Sequence, residues 1–71
     1  MQYLVVIEKG LTSYGAYVPD LPGCVAVAQT RTEVTRLIHE AIAFHIEGLI
    51  GDGQTVPPPA SQAELVEVAA A

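Results

Sequence analysis

Seven residues, Val18-Pro19-Asp20-Leu21-Pro22-Gly23-Cys24, restrict the folds open to this chain more than any other stretch. Each proline removes a backbone donor and holds φ near about −65°, so neither a helix interior nor a central strand runs through them. Leu21-Pro22-Gly23-Cys24 suits a type II turn, in which proline presets the first central residue and glycine takes the positive φ of the second. The stretch is a chain reversal, and what flanks it reads as strand.

Upstream, Gln2 to Glu8 is β-branched and aromatic, with Tyr3, Val5 and Ile7 on one face and Leu4 and Val6 on the other. That pattern fits a strand covered on both sides. Lys9-Gly10-Leu11-Thr12 supplies a turn, and residues 13–18 resume the alternation with Tyr14, Ala16 and Val18 on one side, completing a hairpin. Downstream, residues 24–29 give a short third strand rich in small side chains. The expectation is a three-stranded antiparallel meander with strands over 2–8, 13–18 and 24–29.

Thr30-Arg31-Thr32-Glu33 then matches a capping box, in which the Thr30 hydroxyl takes the amide of Glu33 and the Glu33 carboxylate reaches back to the amide of Thr30. A helix is predicted over 31–50. Val34, Leu37, Ile38, Ala41, Ile42, His45 and Leu49 fall on one arc, with Arg36, Glu40, Ala43 and Glu47 opposite. Gly51-Asp52-Gly53 stops the helix, and residues 54–60, with Pro57-Pro58-Pro59, form a stiff connector. Residues 64–69 read as a short fourth strand with Val66 and Val68 inward. The fold class is α+β, a single domain of order β-β-β-α-β over residues 1–71.

A chain of 71 residues buries only about 60% of the surface its unfolded form exposes, so a supplement to its core is expected. One cysteine and two histidines match no disulfide or zinc spacing. Oligomerisation is the remaining supplement, and a 51% hydrophobic, 15% charged composition agrees with it. One helix also covers only one of two apolar sheet faces, so Leu4 and Val6 are candidates for an oligomer interface, and His45, whose imidazole on the helix's apolar arc needs a partner, is a third. A net charge of −5 with three basic residues argues against direct nucleic-acid binding and for a basic protein partner. No apolar run reaches the ~20 residues of a membrane span, no signal peptide opens the chain, and the lone cysteine suits the cytoplasm.

Catalysis finds little support in these residues. Cys24 has neither a base nor a helix N-terminus nearby in sequence and reads as a small buried hydrophobe. His45, on the apolar arc, needs a hydrogen-bond partner, whereas His39 lies on the flank. Of the acids, Glu33 belongs to the cap and Glu40 and Glu47 to the solvent face, which leaves Glu8 and Asp20 for a metal-dependent nuclease. No cofactor or metal site is expected. Glu8, Tyr17, Asp20 and Leu21, by exposure and charge, are the candidate partner-binding residues.

The run from Tyr14 to Ala26, the Thr-x-x-Glu helix start and the run from Glu40 to Pro59 together resemble the N-terminal domain of HicB-type antitoxins, over residues 1 to about 60. The resemblance implies a partial, degraded RNase H fold acting as an inhibitor, not an enzyme. It further implies a partner, a small basic mRNA interferase of HicA type whose access to RNA the antitoxin blocks. Such antitoxins commonly continue into a DNA-binding domain. Here the sequence stops after the expected fourth strand, so autorepression by direct DNA contact is not expected. The Gly-Asp that often precedes the helix threonine is replaced by Ala28-Gln29. Two other readings remain, a stand-alone oligomeric scaffold without a toxin and a residual RNase H-like nuclease.

Overall fold

A computed structural model describes residues 1–70. Strands β1 (Val6–Lys9), β2 (Tyr14–Tyr17) and β3 (Val25–Ala28) form an antiparallel meander in the order β1-β2-β3, followed by one helix, α1 (Arg31–Gly51). The fold is α+β, as expected from the sequence. β1 begins four residues later than its alternation suggests. Its register pairs Val6 with Tyr17, and extending it would set Leu4 opposite Pro19, which has no amide to give.

The period of two divides each strand between the two faces. Val5 and Ile7, then Tyr14, Ala16 and Val18, then Cys24, Ala26 and Ala28 lie on the helix side. Leu21, Val34 and Ile38 are fully buried at its centre. Each such side chain contributes about 1.5–3 kcal/mol relative to leaving it in water. β3 places only alanines beneath the helix, and α1 packs most extensively against it.

The helix starts as its sequence predicts, with one correction. Thr30 is the N-cap in extended geometry, and its Oγ1 accepts the Glu33 amide at 3.1 Å. The Glu33 carboxylate does not reach back to the Thr30 amide. Arg36, one turn on, takes it instead and also bonds Glu40 at 2.8 Å, a better-oriented charge-assisted pairing. At the far end Gly53, at φ 71°, closes a Schellman motif, its amide donating to Ile50 and that of Gln54 to Leu49.

The predicted fourth strand over residues 64–69 does not form within the described chain. From Gln54 to residue 70 there is no regular structure, and Val66 and Val68, expected inward, are 70% and 77% exposed. The segment projects as an arm. The radius of gyration is 14.3 Å with a longest extent of 52 Å, against about 11 Å for a compact chain of this length.

Candidate functional site

The proline-rich reversal is built from two consecutive turns sharing Leu21. The Leu21 amide donates to the Val18 carbonyl at 3.1 Å, and the Cys24 amide to the Leu21 carbonyl at 3.0 Å. Gly23 takes φ 85°, as a type II turn requires, and the Val18 amide closes the loop on Cys24 at 3.2 Å. This geometry corrects one expectation. Leu21, predicted as an exposed partner contact, is fully buried, because the paired turns fold its side chain back under the helix. Cys24 is buried as expected, and burial pushes its thiol pKa up, away from thiolate reactivity.

Asp20, the third residue of the first turn, faces the C-terminal segment. Its Oδ2 accepts the amides of Ala60 at 2.8 Å and Ser61 at 2.9 Å, and its Oδ1 accepts the Ser61 hydroxyl at 2.8 Å. The Ser61 amide, then the Ala60 amide and the Ser61 hydroxyl, hold its carboxyl below the usual carboxylate range. The Tyr3 hydroxyl donates to the Pro57 carbonyl and makes a second anchor. Asp20 is thus engaged within its own chain. Ser61 is its counterpart, and Tyr3 the counterpart of Pro57; sequence reasoning paired neither.

The remaining candidates gather on the sheet face that α1 leaves open. The register places Val6, Tyr17 and Val25 in one row and Glu8, Gly15 and Val27 in the next. Tyr17, Val25 and Val27 are 41%, 63% and 67% exposed. Glu8 and Tyr17, expected to meet a partner, therefore share one surface with Val6, expected in an oligomer contact; Leu4, half-buried, lies ahead of β1. Val25 and Val27 complete that surface, and their alternation with Ala26 and Ala28 was the signal for them.

His45 lies apart from this face. It is half-buried and makes no hydrogen bond among the described residues, while no buried side-chain polar atom lacks a partner. Water reaches the imidazole, so the expected protein partner is not required; Ile46 packs against the core. The acids of the nuclease reading are not brought together. Glu8 sits opposite Gly15, toward the β1–β2 loop, whereas Asp20 lies past the other end of β2 and holds Ser61. Among the described residues no three acids, histidines or cysteines are grouped to hold a metal ion. Among the described residues no helix is long and apolar enough to cross a membrane.

A second apolar feature runs along the outer side of β3. Val25, Ala26 and Val27 from the strand and Leu37, Glu40, Ala41 and Phe44 from the helix line a groove of about 490 Å³, with Phe44 78% exposed. A polar extension past Val27 and Leu37 reaches Thr30 and Glu33. Phe44 escaped the sequence reading, although Leu37, Ala41 and Phe44 recur at helical spacing as a second stripe beside the core arc.

A small antiparallel sheet with one helix across one face and an open apolar face on the other defines an α+β protein of the kind the comparisons also find. The comparisons with known proteins give its family: residues 3–70 match the model of the HicB-like antitoxins of bacterial toxin–antitoxin systems, and the chain belongs to that family. It is similar to a chain of the HicA3 and HicB3 toxin–antitoxin complex, with a TM-score of 0.71 and 33% identity over 83% of this chain and 70% of that one. An uncharacterized 14.9 kDa protein of Haemophilus phage HP1 is 42% identical over 57 residues, 80% of this chain but only 43% of the phage protein. UPF0150 proteins of Synechocystis and Thermoplasma acidophilum are 43% and 38% identical, over 78% and 80% of this chain and 71% and 84% of theirs.

Proposed function

We propose that the chain is the inhibitory partner of a HicA-type mRNA interferase, which it holds against its open sheet face in the cytoplasm. The observation that carries this reading is that face itself. Val6, Tyr17, Val25 and Val27 lie outside the core in a chain belonging to an antitoxin family. An apolar centre with an aromatic and an acidic edge at Glu8 is the composition of a protein-binding surface. The likeness to a chain of a toxin–antitoxin complex supports the same partner class.

Charge favours a basic protein over RNA or DNA. The net charge is −5, and of three basic residues Arg36 is already paired with Glu33 and Glu40. Inhibition then follows from occupancy: a toxin seated on the sheet is denied its RNA, with no chemistry required of the antitoxin. Co-expression with a HicA-type toxin is expected to give a co-purifying complex and to restore growth. Tyr17→Ala and Val6→Asp should release RNase activity from that complex. Free RNA cleavage in the presence of excess wild-type chain would sink the reading.

A further inference from the structure

We propose that residues 62–70 form the strand that completes the sheet of a second copy, pairing with its β3 edge and filling the groove between β3 and α1. Two incomplete features of the same chain carry the inference, and it stands independently of toxin binding. The first is the edge. The Val18 amide bonds Cys24, so the antiparallel alternation turns the backbone groups of Ala26 and Ala28 toward β2 and those of Val25 and Val27 outward. Beside this unpaired edge lies a helix wall of Leu37, Ala41 and Phe44, with Glu40, paired to Arg36, among them. An edge of this kind is a template for another strand.

The second feature is the arm. Glu64-Leu65-Val66-Glu67-Val68 has the residue pattern of a strand, yet Leu65 is 102% exposed, Val66 70% and Val68 77%. At about 3.4 Å per residue, five residues span about 17 Å, close to the rise of the helix from Glu33 to Phe44. Docked on β3, the arm directs Glu64, Val66 and Val68 to one side, the two valines into the groove, and Leu65 and Glu67 to the other, beside the valines of the open face. The groove volume of about 490 Å³ accommodates the side chains of Val66 and Val68 with room to spare.

A second copy is the fitting occupant because one chain carries both halves. Two copies related by a two-fold axis satisfy both edges at once, an exchange that adds no new surface to the sequence. The Asp20 fork at Ala60 and Ser61 and the Tyr3 contact at Pro57 fix the root of the arm, which leaves fewer residues to order on docking. The arm makes no hydrogen bond to its own body beyond Ser61, so its removal should spare the protomer fold.

The test compares the full chain, a chain ending at Ser61 and the Val66→Asp/Val68→Asp double variant by light scattering after size exclusion at micromolar concentration. A dimeric full chain and two monomeric variants with unchanged helical circular dichroism are expected. A second measurement uses a Cys24→Ala background in which Val27→Cys and Leu65→Cys, placed on the same face by the docked arm, reside on separate chains; mixing them should give a disulfide-linked pair. A monomeric full chain, a dimer that survives truncation, a cross-link forming only within one chain carrying both cysteines, or an edge covered only once a toxin is added would each overturn the proposal.

Discussion

Leu21 joins two turns and the core at one residue. Its amide and carbonyl close the reversal while its side chain fills the space under Val34 and Ile38. Leu21→Ala leaves the turns their backbone bonds but opens a cavity, and should cost about 2–5 kcal/mol, read as a lower urea midpoint at unchanged slope. Asp20 acts outward, on the chain terminus. Its folded pKa lies below the ordinary value of about 3.9, so its clamp contributes fully above that value and is lost as the pH falls through the lowered one. The amide resonances of Ala60 and Ser61 should therefore shift together in acid, and lose that titration in Asp20→Asn. A leucine held inward from a loop escapes sequence reading because its burial depends on a closure that the residue types at 18–24 permit but do not aim.

Among the elements, the helix depends most on local chemistry. Thr30→Ala removes the acceptor of the Glu33 amide and should lower stability by about 1 kcal/mol, whereas Glu33→Gln keeps that amide and leaves the cap in place. Urea unfolding of the two variants separates these roles. Cap, period and Gly53 lie within the helix or next to it, which is why its limits were legible to within a residue. The hairpin and the type II turn were legible for the same reason, since proline and glycine dictate backbone angles where they stand. The arm was not. Its residues have strand character, but a strand exists only against an edge, and the edge available to residues 64–68 depends on where Tyr3 and Asp20 hold the connector. The open face was half legible: alternation divided Leu4 and Val6 from Tyr3, Val5 and Ile7, while the way Glu8 and Tyr17 join Val6 came from the register.

At the scale of the whole molecule, charge and apolar surface act on different steps of association. Eight acidic and three basic residues give a negative field that, on the proposed function, would draw a basic toxin in, and salt weakens it because the Debye length shrinks from about 30 Å at 0.01 M to about 3 Å at 1 M. The apolar rows around Tyr17 act only at short range and, on the same proposal, would hold the complex once formed. Association rate and dissociation rate should therefore respond to different perturbations. Raising salt from about 0.01 M to 0.5 M is expected to slow binding of a HicA-type toxin about tenfold and to change its release by less than about twofold. Tyr17→Ala should do the reverse, speeding release more than about tenfold with little effect on encounter. Glu8→Gln, on the same face, should slow encounter and flatten its salt dependence. Stopped-flow kinetics separates the rates, and a Tyr17→Ala chain that lost association rate alone would move the toxin off the open face.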